Sequence, residues 1–225
     1  MKPDSPLVNY SCYPYLASTE QEKIGNDRTG LVQYKINSAG FRGKDFENID
    51  LITLGCSITF GIGVDQDKTW PYRLAEKGNL TVANLSKPAG SPDTCFRFAS
   101  YWIPELKPKY VVYLQPPPGR LEILKSDLFQ RVQGQLTVNN TGVIDKRLYS
   151  MYNAWIRNKI NNDLNYQKNK LAIAQLCTNN NIEFLSYTLE GWDFKNDLAH
   201  DDVHPGPAAN ERFATIVYSD LDTRI

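Results

Sequence analysis

The chain carries two histidines, His200 and His204, and both lie in AHDDVHPG close to its end. Histidine titrates near neutrality, so any general-base chemistry points to that segment. Asp201 stands three residues before His204. Within one turn of loop or helix, such a carboxylate can reach the far ring nitrogen, fix the tautomer and stabilise the imidazolium. A base of this kind needs a group to deprotonate. Ser57 lies in LITLGCSITFGIG, Leu51 to Gly63, after an apolar run and Gly55. A serine hydroxyl is a poor nucleophile until a base takes its proton. The order Ser…Asp…His is met. The elbow G-x-S-x-G is not, because Ile58 and Thr59 follow the serine. Singly, each residue has a plainer use: Ser57 as a turn residue, His204 as a surface or hydrogen-bonded histidine. His200 and His204, with Asp201 and Asp202 between them, also read as a metal pair. Pro205 and the missing glutamate of an HExxH set weigh against that, so neither a metal nor another cofactor is expected.

Such a set works only if the chain brings its two ends together. Asp50–Leu54, Thr81–Leu85, Lys109–Gln115 and Ile182–Tyr187 read as strands, and KYVVYLQ has the continuous apolar character of a strand buried on both faces. Trp70–Lys77, Thr94–Leu106 and Pro205–Leu221 read as helices, with Gly78 and Pro108 as stops. Asp145 to Asn180 reads as one long helix or two. Tyr152, Trp155, Ile156, Ile160, Leu164, Leu171, Ala174 and Leu176 recur there at roughly helical spacing. The aromatics Tyr149, Tyr152 and Trp155 are expected in the core rather than as a sugar platform. Alternation of strand and helix predicts an α/β three-layer sandwich, a central parallel sheet with helices on both faces. Ligand sites in such sheets lie beyond the carboxyl ends of the strands. Gly55–Gly61, Ser86–Gly90 and Gln115–Arg120 all open there.

Lys+Arg and Asp+Glu are both 25 in 225 residues, so no basic field is present to hold nucleic acid. The start, MKPDSPLVNYSCYPYL, lacks a signal-peptide pattern, and no run approaches the length of a membrane span. A cytoplasmic protein is the expectation. Cys12, Cys56, Cys95 and Cys177 are scattered, which predicts reduced thiols rather than a zinc knuckle or a disulfide framework. Residues 1–45 read as an irregular N-terminal extension, with a short strand at Leu31–Ile36, packed on a domain of residues 46–225.

The set as a whole resembles the SGNH (GDSL-type) hydrolases. GCSITFG is similar to that family's first block, usually GDSxTxG, with Ser57 in the nucleophile's place. VANLSKPAG supplies the glycine of the second block as Gly90, and Asp201 and His204 match the DxxH of the last. NSAGFRG and GVDQDKTWPYRL, on the flanks, look like a subgroup. The resemblance implies a flavodoxin-like sandwich, a Ser57–His204–Asp201 triad, and an oxyanion held by the Ser57 and Gly90 amides. Two positions depart from it. Cys56 stands where the family has Asp, removing a local acceptor; it is a rival nucleophile, but the block places Ser57 in the reactive slot. The third block, G-x-N-D, is replaced by VVYLQPPPGRLE, without the oxyanion-binding Asn. Losing one such donor costs about a hundred- to a thousandfold in rate. Gln115 or Arg120 is the expected substitute. Arg120 is also a candidate for an anionic substrate group, with Glu122 orienting it.

The expected activity is that of a serine ester hydrolase on a small acyl ester. A carbohydrate O-acetyl ester is preferred because no long apolar lid is evident, and the Asn-rich stretch 133–169 is a candidate acceptor side. An acyltransferase, a non-catalytic glycan-binding protein and a structural protein on the same fold are the alternatives.

Overall fold

A computed structural model describes residues 24–26, 31–122, 135–136, 150, 153–155, 158–190 and 192–223. Two short strands, β1 (Ile24–Asn26) and β2 (Gln33–Lys35), pair antiparallel ahead of the main sheet. The main sheet contains β3 (Leu51–Gly55), β4 (Val82–Ser86), β5 (Tyr110–Leu114) and β8 (Glu183–Tyr187). All are parallel, in the order β4-β3-β5-β8. Between β5 and β8, β6 (Leu121–Glu122) pairs with β7 (Gln135–Leu136). The helices are α1 (Ser57–Phe60), α2 (Trp70–Gly78), α3 (Pro92–Leu106), α4 (Lys159–Asn179) and α5 (Pro207–Asp222).

Alternating side chains of the strands build two cores, as the pleat requires. Ile52, Leu54, Ala83, Leu85, Val111 and Tyr113 face α3 and α4, meeting Phe98, Ile103, Ile173 and Cys177. Leu51, Val112, Leu114 and Leu185 face α2 and α5, meeting Trp70, Leu74, Phe213 and Val217. The expected three layers are therefore present. Strand limits shift by one residue from the sequence reading. Helix α3 starts at Pro92, two residues early, because Ser91 and Thr94 form a reciprocal capping box. Helix α2 runs through Gly78 and stops at Asn79, which adopts the left-handed conformation (φ 49°). Among the described residues, no helix is long and apolar enough to cross a membrane.

Most of residues 1–30 lie outside the described residues. From 31 on, the stretch taken as irregular enters the interior: Val32, Tyr34, Phe41 and Arg42 are all buried. Phe41 makes edge contacts with Phe98 and Trp102 at 5.2 and 5.8 Å between ring centroids.

Helix α4 differs most from expectation. The apolar spacing predicts Ile160, Leu164 and Leu171 toward the core, yet they are 75%, 66% and 67% exposed. The buried face carries Asn165, Asn169, Ile173 and Cys177. The physical reason is Asp93 on α3. Its carboxylate accepts from Asn165 Nδ2 at 3.1 Å, from Asn169 Nδ2 at 2.9 Å and from the Glu122 N–H at 3.3 Å. Asparagines on this face supply charge-assisted donors to that carboxylate, which leucines there could not. Trp155 is 41% exposed, against the core reading; Tyr149 and Tyr152 lie outside the described residues. Asp93→Ala should cost about 2–4 kcal/mol in urea unfolding, since it strands the Asn165 amide and the Glu122 N–H. Leu164→Ala, on the face first taken as core, should cost about 0.5 kcal/mol or less.

Candidate active site

Strand β3 ends at Gly55, and the chain turns at once into α1. A side chain at Gly55 would place Cβ 2.0 Å from Thr59 Oγ1 and 3.1 Å from the Leu114 carbonyl, so only glycine lets α1 fold back on the sheet edge. A helix of four residues cannot satisfy its own last carbonyls. Here three of the four, those of Ser57, Thr59 and Phe60, find donors. Ser57 O accepts from the Gly61 and Ile62 N–H groups at 2.9 and 3.1 Å. Thr59 O accepts from Asn84 Nδ2 on β4 at 2.9 Å. Phe60 O and Gly61 O accept from Arg42 Nη1 at 2.9 and 2.6 Å, and Val64 O accepts from Arg42 Nη2 at 2.7 Å. The Arg42 guanidinium lies 4.6 Å from the centroid of the Tyr34 ring. Burial pulls its pKa down to about 10, which leaves it charged at neutrality.

The same turn reaches the far end of the chain. The Gly63 N–H donates to Tyr34 Oη at 2.8 Å, and its carbonyl accepts from the His200 N–H at 3.2 Å. The Asp197–Gly206 loop closes on itself through Ala199 N–H to His204 O (2.8 Å) and Gly206 N–H to Asp197 O (2.7 Å). Asn210 of α5 donates to Pro205 O at 3.0 Å and accepts from the Trp70 N–H at 2.9 Å, tying the residue after His204 to the start of α2.

Three side chains meet across these elements. His204 Nε2 is 2.8 Å from Ser57 Oγ, and His204 Nδ1 is 2.5 Å from Asp201 Oδ2. Asp201 Oδ1 accepts from the Val203 and His204 N–H groups at 3.2 and 3.0 Å. Burial pushes the Asp201 carboxyl up, but the bonds from the His204 N–H, the His204 ring and the Val203 N–H outweigh it and hold it below the usual carboxylate range. An ionised Asp201 thus faces His204 Nδ1, and Nε2 faces the Ser57 hydroxyl.

The remaining sequence candidates lie around this centre. Gly90 packs against the serine turn: a Cβ there would lie 2.9 Å from Lys87 O, 3.1 Å from Gly55 O and 3.6 Å from Cys56 Cα. Its N–H donates to Lys87 O at 2.8 Å. Gln115 is 2% exposed, and its Oε1 has no partner among the described residues. Arg120 Nη1 donates to Gly90 O at 3.3 Å. Glu122 does not orient Arg120; it takes Arg97 on both oxygens, at 2.8 and 2.8 Å. Cys56 is buried, 3% exposed. Among the described residues, no group of three or more His, Cys, Asp or Glu side chains could hold a metal ion. A polar cavity of about 330 Å³ lies behind the Asp201 loop, lined in part by Asp65, Lys68, His200 and Asp202; Ser57 and His204 do not line it.

Arg42, Asn84, Tyr34 and Gly63 were not singled out from the sequence, although Arg42 falls in NSAGFRG, a segment marked by the resemblance. Their role is testable through the reactivity of Ser57. Gly63 has φ +72°, and a Cβ there would lie 2.9 Å from Ala199 Cβ and 3.3 Å from Asp201 Oδ1. Gly63→Ala therefore drives the Asp201 loop away from the serine turn. It should slow modification of Ser57 by a fluorophosphonate by about tenfold to a hundredfold. Arg42→Ala should slow it similarly and also lower stability in urea by about 3 kcal/mol or more, since three carbonyls lose their donor.

No protein-family model matches the chain, and no curated protein matches it. Among solved structures it is similar to TesA, with 18% identity over 78% of this chain and 99% of that chain and a TM-score of 0.49. It is similar to the psychrotrophic esterase EstA from Pseudoalteromonas sp., with 10% identity over 77% and 97% and a TM-score of 0.38. It is also similar to the acetyl xylan esterase Est2A from the rumen bacterium Butyrivibrio proteoclasticus, with 14% identity over 80% and 64% and a TM-score of 0.39. These likenesses concern the fold alone, and the chain's own sheet is a parallel one of four strands between helices.

Proposed function

We propose that the protein is a serine ester hydrolase acting on a small acyl ester, with an O-acetylated carbohydrate as the preferred substrate class. The observation that carries this reading is the approach of Ser57 Oγ to His204 Nε2 at 2.8 Å, with Asp201 at 2.5 Å on the other ring nitrogen. Ser57 Oγ attacks the ester carbonyl carbon as His204 Nε2 takes its proton. Asp201 stabilises the imidazolium so formed. The tetrahedral intermediate collapses, the carbon–oxygen bond to the alcohol breaks, and His204 returns the proton to the leaving oxygen. Water, deprotonated by His204, then cleaves the acyl-serine and releases the acid.

The negative oxygen of the intermediate needs donors. Ser57 opens α1, so its N–H has no acceptor within the helix. Gly90 serves in this reading by sharing its N–H between Lys87 O and the substrate. In this reading Gln115, buried just past the end of β5, takes the place of the family's Asn through its Nε2 donors; its unpartnered Oε1 is an acceptor and has no part in holding the oxyanion. The sugar preference draws on the sequence, which offers no long apolar lid.

Intact-mass measurement after fluorophosphonate treatment tests the central step. The wild type should gain one adduct at Ser57, and Ser57→Ala none. On a panel of aryl and sugar acetates, Ser57→Ala and His204→Ala should each lower kcat by about 10⁴-fold or more. Gln115→Ala should lower it by about 10²–10³-fold. A wild type inert to the probe and to every acetate would turn the reading toward a non-catalytic binder. Acyl transfer that depends on an added sugar acceptor would turn it toward a transferase.

A further inference from the structure

We propose that the site selects esters carrying an anionic group, a carboxylate, sulfate or phosphate, held by Arg120 and Lys87 on either side of the Gly90 turn. The proposal rests on the reading of Ser57 as the attacking residue and names the substrate class that site would take.

The charges around the turn do not balance. Arg120 Nη1 is anchored on the Gly90 carbonyl at 3.3 Å, and Gly90 packs directly against Gly55 O and Cys56 Cα. A guanidinium has five N–H donors. Beyond this one bond, Arg120 has no acceptor among the described residues, and no carboxylate there lies within ion-pair distance of it. Glu122, two residues on, is committed. Arg97 holds both its oxygens, the Thr94 hydroxyl donates to Oε1 at 3.2 Å, and Arg97 and Glu122 are 5% and 4% exposed. Lys87 begins the turn, its N–H on Gly55 O at 3.4 Å. Its half-buried ammonium forms no ion pair among the described residues. Burial lowers the Lys87 pKa, and the charge of Glu122 offsets this only in part. Asp93, the other anion at this edge, is occupied by Asn165, Asn169 and the Glu122 N–H, with Lys168 at 3.8 Å.

Glu122 is thus taken by Arg97, and Arg120, anchored on the Gly90 carbonyl beside the serine turn, has no carboxylate of its own among the described residues. The chain as a whole has a formal charge of zero, so this imbalance is local rather than the mark of a basic protein. A partly desolvated cation without a counter-ion is costly, and an incoming anion offsets that cost. The planar fork of Arg120 suits carboxylate, sulfate and phosphate oxygens, and its anchor on Gly90 O holds it ready before substrate arrives. A neutral ester would leave both cations unmatched.

The test compares meta- and para-acetoxybenzoate, each with its methyl ester, which differ at one end by a charge. The wild type should favour the better-placed carboxylate by about tenfold or more in kcat/KM, the range of a charge-assisted hydrogen bond. In Arg120→Gln, checked for folding by circular dichroism, that ratio should fall toward one; Lys87→Gln should lower it in part. A wild-type ratio near one for both isomers, or a ratio unchanged in Arg120→Gln, overturns the proposal. The same four compounds titrated into Ser57→Ala by calorimetry separate this proposal from the reading beneath it. Tighter binding of the acids, lost in Ser57→Ala/Arg120→Gln, supports the anion site even if the wild type hydrolyses nothing, in which case the esterase reading falls alone. Hydrolysis of both acids and both methyl esters at equal efficiency leaves the esterase reading standing and sinks this one.

Discussion

Arg42, 1% exposed and bonded through its guanidinium to the carbonyls of Phe60, Gly61 and Val64, fixes the turn from which the rest of the site is built. Helix α1 is too short to hold its own shape, because nucleating a single turn is unfavourable and its end carbonyls lie in a dry interior. Arg42 from the segment before β3 and Asn84 from β4 supply what the helix lacks. The guanidinium suits this task since it spreads several donors over a plane, where lysine concentrates one charge at a point. With the turn fixed, Gly63 presents its carbonyl to the His200 N–H, and the histidine loop is held against the serine loop. Ser57 and His204 are separated by 147 residues, yet their contact depends on this one side chain for its floor.

The sheet and its layers were legible because their cause is local and repetitive. KYVVYLQ is apolar at every central position, and Val111, Val112, Tyr113 and Leu114 are buried to within 1%. The candidate site residues could be nominated from the sequence because the chain has two histidines, both in one segment, with Asp201 between them. Helix α4 was misread for the opposite reason. Its buried face is decided by Asp93, which lies 72 residues before Asn165, and no spacing within the helix reports that carboxylate. The clamp of Arg42 is equally invisible to periodicity. Arginine in a loop is usually solvated, and only the fold reveals that this loop carries Phe41 into an aromatic cluster and draws Arg42 in behind it.

Several buried polar groups are matched: Asp93 with two asparagines, Arg97 with Glu122, Asn210 with Pro205 O and the Trp70 N–H. Others are not: Thr59 Oγ1, Trp70 Nε1 and Tyr113 Oη are buried without a partner among the described residues. Gln115 Oε1 lacks a partner, and Arg120 and Lys87 lack carboxylates among the described residues. Matched groups stabilise and specify a fold; unmatched ones cost free energy and persist where something else uses them.

Gly90 shows how far each kind of observation reaches. Its glycine is required on steric grounds, since Lys87 O and Gly55 O leave no room for a Cβ. Its N–H already serves the turn. Nothing about the residue therefore demands an oxyanion role, and any donation to a substrate would draw on a bond worth about 1 kcal/mol to the turn. The triad differs. Packing does not require a hydroxyl at Ser57, an imidazole at His204 and a carboxylate at Asp201 in line; a set of smaller or apolar side chains would fill the same space without burying an ionised group. The weight of the chemical reading rests on that line of three, and the oxyanion side takes its meaning from it.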